Sequence, residues 1–350
     1  MGGGEVAMAL GDSRKILLAH GGGGRLMSRL IQETILPRVR QGDADMPLTD
    51  AAQVSVDASA LCFTTDSYVV QPLRFPGGDI GTLAVCGTVN DLAATGARPV
   101  ALSLSLILEE GFSLDILESI LESIGRTAGA LGVPVVTGDT KVVEVEAADG
   151  LFINTAGIGV KVPGSALGFD RIQPGDAVIV TGTLGDHGMT ILSRRKGMMF
   201  ETSLESDCAA LSPLTCRILE AVGEAVKFMR DPTRGGLAAV LNEIASGSRC
   251  DIEIEESGLP IRPAVRAAAD MLGLDVLNVA NEGKMVLIVA PEAAEQVLAI
   301  CRADPLGHEA AQIGRIGSPG EEGGLVELVT RVGGRRVVQM PYGRDLPRIC

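Results

Sequence analysis

Acidic residues recur beside glycine or hydroxyl residues at points where a strand or helix is predicted to begin or end. The stretch Thr137-Gly138-Asp139-Thr140-Lys141 follows a short apolar strand. Its carboxylate and ammonium groups could serve the magnesium and the phosphate of a nucleotide, and a plain turn is the alternative. Asp66 follows a predicted strand and Asp231 precedes a predicted helix, so they repeat this arrangement. The chain therefore contains several candidate ligand-binding acids, each of which an ordinary turn would also explain.

Two adjacent polar residues, Asn90 and Asp91, lie inside a predicted helix that ends near Gly96. Both types are unfavourable inside helices because their side chains compete for backbone hydrogen bonds. Solvent exposure would explain the pair, and so would a metal or phosphate ligand. Glu282, in Asn281-Glu282-Gly283-Lys284 before a predicted strand, leaves a similar choice between a catalytic base and a solvated turn residue.

A glycine-rich loop, Ala19-His20-Gly21-Gly22-Gly23-Gly24-Arg25, opens a predicted helix near the N-terminus. Glycines let backbone N–H groups approach an anion closely, and the start of a helix adds partial positive charge. The loop lacks the lysine and hydroxyl of a Walker A motif, and no convincing strand precedes it as in a dinucleotide-binding fingerprint. A phosphate loop and a flexible linker both stay open as interpretations.

The sequence ends on Cys350, whose thiol lies beside the terminal carboxylate. Pro341, Gly343 and Pro347 disfavour a regular helix or a central strand over this end, so an extended arm is expected. Taken alone, such a cysteine is typical of a frayed chain end. The other cysteines form no CxxC pair and no zinc-finger cluster, and most are expected to be packing residues.

The elements that must position these residues alternate between strands and helices. In the first half, strands are predicted at 61–65, 100–108, 133–136 and 152–160, and an amphipathic helix is predicted to start at 113–115. In the second half, helices are predicted at 211–226 and 236–244, and strands at 177–180, 252–254 and 285–289. A hairpin is predicted from 325–329 and 336–340. A boundary is predicted between Pro163 and Asp176, where proline, glycine and serine accumulate. The sequence thus predicts an α/β protein of two halves.

Composition narrows the function. Of the 350 residues 46% are hydrophobic, so a sizeable core is expected, and aromatic residues make up only 3%, without tryptophan. The net charge of −14 disfavours non-specific binding to nucleic acid or to anionic membranes. No apolar run approaches the 18 or more residues of a membrane span, and the first residues do not resemble a signal peptide. A cytoplasmic protein that binds neither nucleic acid nor membrane is expected.

Ten stretches, in order along the chain, resemble one known family, the carbamoyl dehydratases of hydrogenase maturation. The resemblance extends over residues 16–350 and is most specific at TGDTK, DPTRGG and LPRIC. The ten stretches are AHGGGG, FTTDS, FPGGDIGTLAVCGTVNDLAATGA, VTGDTKVVE, FINTAGIGV, GDHG, ESDC, RDPTRGGLAAVLNEIA, ANEGK and LPRIC.

The resemblance implies a two-domain α/β (α+β) fold of the kind shared by aminoimidazole ribonucleotide synthetase and selenophosphate synthetase. It also implies a homodimer in which the mixed N-terminal sheets of two copies form a barrel at the interface. The expected divisions are a disordered N-terminus (1–15), an N-terminal ATP-binding and dimerisation domain (16–165), a C-terminal α/β domain (166–340) and a flexible, extended tail (341–350).

The resemblance also implies roles for individual residues. ATP and Mg²⁺ are the expected cofactors. The acids expected on the magnesium side of the nucleotide are Asp66, Asp91 and Asp231. The residues expected to bind the rest of the nucleotide are Asp139, Thr140, Asn154 and the loop glycines Gly21, Gly22, Gly23 and Gly24. The residues expected to act catalytically are Cys350 as carrier, Glu282 as base and Lys141 as an orienting or stabilising group.

The implied reaction is the ATP-dependent dehydration of an S-carbamoyl group on Cys350 to a thiocyanate, whose cyanide becomes an iron ligand of nickel-iron hydrogenase. The implied partners are a HypF-like carbamoyltransferase and a HypC–HypD-like iron scaffold complex. Two alternatives stay open. One is another ATP-using synthetase or kinase of the same superfamily, and the other is a non-catalytic scaffold that docks through its terminal cysteine.

Overall fold

The part of the chain that the computed structural model describes comprises residues 15–21, 25–39, 54, 56–57, 60–197, 204–319 and 324–340. Gly22, Gly23, Gly24 and Cys350 lie outside the described residues, as do the predicted tail 341–350 and all but Lys15 of the predicted N-terminal segment 1–15. The limits predicted for the four divisions of the chain stay a prediction.

A four-stranded mixed sheet forms the centre of the N-terminal half, in the order β1-β6-β4-β5. Strands β4 and β5 pair in parallel, and the other two pairs are antiparallel. The strands of this half are β1 (Leu61–Tyr68), β2 (Arg74–Phe75), β3 (Gly78–Asp79), β4 (Ala97–Glu109), β5 (Val135–Val143) and β6 (Leu151–Lys161). Its helices are α1 (Arg25–Arg29), α2 (Leu36–Val39), α3 (Ile80–Ala94) and α4 (Leu114–Leu131), with a π-helical segment at Leu30–Ile35 and a 3-10 helix at Leu18–Gly21.

Helix α3 covers one face of this sheet, and α4 packs against α3. In α4 the apolar residues Leu117, Leu121, Ile124 and Ala128 are fully buried, and Ser113 caps the first turn by accepting a hydrogen bond from the N–H of Ile116. Helix α3 is buried on nearly all sides because it lies between the sheet and the C-terminal half. A helix placed in this way can carry polar side chains only where they have partners.

The C-terminal half is built on a seven-stranded sheet in the order β13-β12-β9-β11-β7-β10-β8, in which only β12 and β9 pair in parallel. Its strands are β7 (Ala177–Val180), β8 (Val226–Arg230), β9 (Cys250–Glu255), β10 (Val286–Val289), β11 (Ala311–Pro319), β12 (Val326–Val329) and β13 (Arg335–Val337). Its α-helices are α5 (Asp186–Arg195), α6 (Ser212–Val222), α7 (Gly236–Ser248), α8 (Pro263–Leu272) and α9 (Ala294–Arg302). Its 3-10 helices are Phe169–Arg171, Gly223–Ala225, Glu256–Gly258, Val276–Asn278 and Pro291–Ala293.

The halves share apolar packing. One buried cluster contains α3 and α4 residues such as Val89 and Leu121 together with α7 residues such as Leu241. A second cluster joins Ala93 of α3 to the helices and strands of the C-terminal half. Because apolar side chains of both halves bury one another, the junction between the sheets is part of the core. Within the described residues, the helices lack the combination of length and apolar character needed to cross a lipid bilayer.

Most predicted strands are confirmed, including the hairpin of β12 and β13, but three local predictions are wrong. The predicted helix 211–226 ends at Val222, because Gly223 adopts a positive φ of 49°, and Val226 already begins β8. Asp66 does not follow β1 but lies within it, opposite Thr155 of β6. The residues of TGDTK likewise lie within β5, where Asp139 is opposite Ser105 of β4. Pairing with a neighbouring strand extends both strands beyond their apolar runs.

Candidate active site

A small acidic cavity opens where β1 and α3 of the N-terminal half meet two loops of the C-terminal half. Its volume is about 100 Å³. One loop, Asp231–Gly235, connects β8 to α7, and the other, Asn281–Lys284, precedes β10. The cavity is lined by Thr65, Asp66, Tyr68, Gly87, Asp91, Asp231, Thr233, Arg234 and Glu282. Four carboxyl groups predicted to act at the site are therefore brought together.

Alternation along β1 explains how Asp66 reaches the cavity. Thr64, Asp66 and Tyr68 point to the face covered by α3, and the intervening residues point to the other face. The hydroxyl of Thr64 donates a 3.0 Å hydrogen bond to Asp91 Oδ2 on α3, which fixes that carboxylate beside the strand. Gly87 is required opposite Tyr68, since a Cβ there would lie 2.4 Å from the tyrosine hydroxyl.

Burial, together with the neighbouring carboxylates, raises the pKa values of two carboxyl groups in the cavity. Burial and the neighbouring Asp91 raise the pKa of Asp231 to about 7. Burial also raises the pKa of Asp91, with Asp66 contributing and the Thr64 hydrogen bond opposing. Arg230 lowers the pKa of both groups and Arg234 lowers that of Asp91, but neither reverses the upward shift. The cavity is therefore deficient in positive charge.

Oxygen donors with unbalanced negative charge are what Mg²⁺ prefers in proteins. Asp66, Asp91 and Asp231 supply such donors, so the chemistry of the residues fits a divalent cation. In the described part of the chain, however, no three Asp, Glu, His or Cys side chains are already arranged as a metal site. The magnesium roles of these three acids stay a prediction.

Glu282 is buried, with 4% of its surface exposed, so its alternative interpretation as a solvated turn residue is wrong. Its backbone N–H donates to Asp207 Oδ1 at 3.1 Å, and its carbonyl accepts from Asn90 Nδ2 at 3.2 Å. Asn90 is 1% exposed, which rules out solvent exposure as the reason for a polar residue at that position of α3. Its role is to bond backbone groups of the C-terminal half.

The remaining predicted residues lie elsewhere. Asp139 and Lys141 are exposed on the uncovered face of β5 and form a 2.8 Å ion pair, and the hydrogen bond from Lys141 lowers the pKa of Asp139. Asn154 of β6 lies on that same face and donates to the carbonyl of Asp66 at 2.8 Å and to the hydroxyl of Ser67 at 3.0 Å. Thr140 points to the buried face and is 4% exposed.

The predicted site residues are thus divided between the two edges of one sheet. Strand β1 carries Asp66 at one edge and β5 carries Asp139 and Lys141 at the other, three strand spacings away, or roughly 14 Å. The 3-10 helix that ends at Gly21 packs beside β5 and so belongs to the second group. Within one chain, Lys141 does not reach the cavity that contains Glu282.

The sequence does not single out Asn281 of ANEGK, whose side chain hydrogen-bonds to two other motifs. Its Nδ2 donates to the carbonyl of Pro232 in the DPTRGG loop, and its Oδ1 accepts from the N–H of Gly185 in GDHG. The co-occurrence of these motifs was the available signal, but a motif does not indicate which of its side chains bind ligand and which bind backbone. Asp207 of ESDC was missed for the same reason.

Two models of one protein family match the chain. The family described as "AIR synthase related protein, N-terminal domain" matches residues 48–161, and "AIR synthase related protein, C-terminal domain" matches residues 173–327. These matches cover the four-stranded sheet and most of the seven-stranded sheet.

Similar proteins share nearly the whole chain. The carbamoyl dehydratase HypE of Rhizobium leguminosarum bv. viciae is 51% identical over 336 residues, which cover 96% of this chain and 95% of that protein. The crystal structure of hydrogenase maturation protein HypE in complex with ATP has a TM-score of 0.89 at 46% identity, covering 95% of this chain and 99% of that one. The crystal structure of a HypE–HypF complex has a TM-score of 0.77 at 44% identity, covering 80% and 90%.

Proposed function

We propose that Cys350 carries the substrate of this enzyme. The chain belongs to the family of the carbamoyl dehydratase HypE, within the AIR synthase related proteins. It is an ATP-dependent dehydratase of hydrogenase maturation. About half of all residues are identical to those of the Rhizobium leguminosarum carbamoyl dehydratase over almost the full length of both chains, which supports the same reaction here. The observation that carries the residue assignment is the acidic cavity, in which Asp66, Asp91, Asp231 and Glu282 meet.

The reaction converts S–C(=O)–NH₂ on Cys350 to S–C≡N. Oxide is a poor leaving group, so the carboxamide oxygen first attacks the γ-phosphorus of ATP and ADP departs. The nitrogen then loses two protons, and the C–O bond breaks as phosphate leaves. We assign the acceptance of the first proton to Glu282, whose carboxyl group is buried in the cavity. The second proton leaves with the phosphate, so the net products are the thiocyanate, ADP, phosphate and one proton, which Glu282 passes to solvent.

Asp66, Asp91 and Asp231 would hold Mg²⁺, which when bound supplies charge neutralisation for the transferring phosphoryl group. In the protein alone these carboxylates repel one another, as the raised pKa values of Asp91 and Asp231 indicate. The carboxylates, together with Arg234 at the rim, would orient the phosphate end of the nucleotide. The 3-10 helix that ends at Gly21 adjoins β5, so the loop glycines 21–24 would bind the phosphates in the cavity of a second copy of the chain.

A second copy of the chain would complete the site. The cavity of about 100 Å³ is smaller than the roughly 300–1,000 Å³ of ordinary small-molecule pockets, so it would hold only part of ATP. The uncovered face of the N-terminal sheet exposes Phe63 by 71% and Leu61 by 55%, and both β1 and β5 are edge strands. We propose a homodimer in which Asp139, Lys141 and Asn154, on the uncovered face, serve the nucleotide and tail of the partner's cavity.

Two further proteins would meet Cys350. A HypF-like carbamoyltransferase would load the carbamoyl group, and the solved complex of a 44% identical HypE with HypF supports this proposal. A HypC–HypD-like iron complex would accept the cyanide.

The test is mass spectrometry of the C-terminal peptide after the protein is loaded with a carbamoyl group by the carbamoyltransferase. With Mg²⁺ and ATP the wild type is expected to lose the mass of one water from its C-terminal peptide. Cys350→Ala is expected to bind ATP and fold normally but to give no carbamoylated or cyanated peptide. Cys62→Ala, which removes a half-buried thiol of β1, serves as the control and is expected to react like the wild type. Product formation by Cys350→Ala would contradict the proposal.

A further inference from the structure

We infer that Asn90, in the N-terminal half, is a positioning residue for Glu282, in the C-terminal half. The inference rests on the proposed function, in which Glu282 accepts the proton. Asn90 and Glu282 lie 192 positions apart in the chain and meet at the junction of the two sheets. Asn90 would act through the backbone of Glu282 and would touch neither the nucleotide nor the carbamoyl group.

Every polar atom of the Asn90 side chain bonds to the C-terminal half. Its Nδ2 donates to the carbonyl of Ala209 at 2.9 Å and to that of Glu282 at 3.2 Å. Its Oδ1 accepts from the N–H of Leu211 at 2.8 Å. An amide is the side chain that offers two donors and an acceptor in one plane. These three bonds to backbone groups explain the buried amide of Asn90 without a metal or a phosphate.

The other side of Glu282 is held by Asp207. Asp207 Oδ1 accepts from the N–H of Glu282 at 3.1 Å, and Oδ2 lies 3.4 Å from the ammonium of Lys284. Gly283 between them leaves no room for a side chain, since a Cβ would lie 1.7 Å from the carbonyl of Asp207. The turn therefore packs directly on the segment that contains Asp207.

Holding both the N–H and the carbonyl of one residue fixes the direction of its Cα–Cβ bond. For Glu282 that direction leads into the acidic cavity. The neighbour of Asn90 on α3, Asp91, lines the same cavity. Helix α3 thus carries, at consecutive positions, the residue that positions the base (Asn90) and a predicted metal ligand (Asp91). It therefore fixes the base and the metal ligand relative to each other across the junction.

The experiment measures the rate at which fully carbamoylated protein loses water, across a range of Mg-ATP concentrations. For Asn90→Ala the maximal rate is expected to fall on the order of 10- to 100-fold, because small displacements of a reacting group have effects of that size. The ATP concentration that gives half the maximal rate is expected to stay the same. Asn90→Asp keeps the shape and the acceptor for Leu211 but loses both donors, so the same loss is expected even where the alanine variant does not fold.

Two comparisons separate positioning from mere folding. Asn242→Ala removes another asparagine that donates to two backbone carbonyls, at 2.8 and 3.0 Å, but far from Glu282, and it should leave the rate unchanged. Combining Asn90→Ala with Glu282→Gln should give the rate of Glu282→Gln alone, since Asn90 acts only through Glu282.

An unchanged maximal rate in both Asn90 variants would overturn the inference, as would losses that multiply in the double variant. If Glu282→Gln itself dehydrates at the wild-type rate, the proposed base is wrong and the inference fails with it. If Glu282→Gln is slow while the Asn90 variants are normal, the proposed function stands and only the inference fails.

Discussion

At the scale of single residues, Asp231 shows the conflict between stability and function most clearly. It lies beside Asp91 in a cavity that supplies too little positive charge, and its pKa is raised to about 7. An isolated protein gains nothing from such a carboxylate. The arrangement is understandable if the cavity is built for a cation that arrives with the nucleotide.

Replacing Asp231 by asparagine should therefore stabilise the metal-free protein at alkaline pH. Between the ordinary pKa of aspartate and about 7 the folded state binds the proton more tightly than the unfolded chain does, so wild-type stability falls as the pH rises through this window. Asparagine stays neutral at every pH. At about pH 8 the gain should be roughly 2–4 kcal/mol, at about 1.4 kcal/mol per pKa unit, and it should vanish at about pH 4.

Urea unfolding in a chelating buffer at both pH values measures this difference. Asp251→Asn, which changes an acid outside the cavity, is the control and should show no comparable pH-dependent gain. A variant no more stable than the wild type at alkaline pH would contradict the electrostatic description of the cavity.

The sequence largely predicts which acidic residues meet at the site, but not which polar residues bind backbone groups there. Asp66, Asp91, Asp231 and Glu282 do converge, and each had been identified from an acid beside a predicted element boundary or inside a helix. For Asn90 the sequence offers only exposure or ligand binding as explanations, because it does not show that a helix is covered on all sides. A buried polar side chain must find partners, and those of Asn90 lie more than a hundred positions away.

At the scale of elements, the turn before α7 sets the position of the acidic loop. Gly236 begins that helix with a φ of +59°, and a Cβ on it would lie 2.5 Å from the carbonyl of Leu277 and 2.6 Å from that of Val279. The glycine thus lets the DPTRGG loop approach the segment that leads to Glu282. Close backbone contact here keeps the two C-terminal loops of the cavity together.

An unfavourable backbone conformation alone costs roughly 1–3 kcal/mol. Gly236→Ala is expected to destabilise the fold by more than this, because its Cβ would also collide with two backbone carbonyls. It should also weaken ATP binding by shifting the loop that contains Asp231. Gly273→Ala provides the matched control, because Gly273 has a similar φ of +68° but open space around its Cβ position. Thermal unfolding and ATP titration of the two variants give the comparison, and equal losses would contradict the role of the close approach.

Element prediction succeeded where periodicity was strong and failed where pairing decided the outcome. The stripe of α4 and the alternation of β4 are visible in the sequence. The predicted helix 211–226 runs past Val222 to the first residue of β8, and the rest of β8 is not predicted, because Val226–Arg230 is a short run whose strand character comes from pairing with β10. Asp66 and Asp139 were placed after their strands for the same reason, although both are inside them.

At the scale of the whole molecule, the division of the predicted site between two sheet edges points to a second copy. Phe63 is the most exposed aromatic residue on the uncovered face of the N-terminal sheet. Phe63→Asp would place a charge in the proposed interface. The variant should sediment as a monomer and lose ATP-dependent dehydration while keeping its melting temperature within a few degrees, because the side chain contributes little to the core of one chain.

Val332→Asp is the control for Phe63→Asp. Val332 is 94% exposed on the turn between β12 and β13, far from the N-terminal sheet, so its replacement should leave both sedimentation and activity unchanged. A fully active monomer of Phe63→Asp would show that one chain contains a complete site.

In the proposed mechanism, ATP removes the carbamoyl oxygen as phosphate from a group carried on Cys350. The direct measurement uses a carbamoyl group labelled with a heavy stable isotope of oxygen and follows the label through one round of dehydration. The label is expected in inorganic phosphate, in an amount equal to the thiocyanate formed on the C-terminal peptide. Label released into water, or phosphate formed without label, would contradict the account.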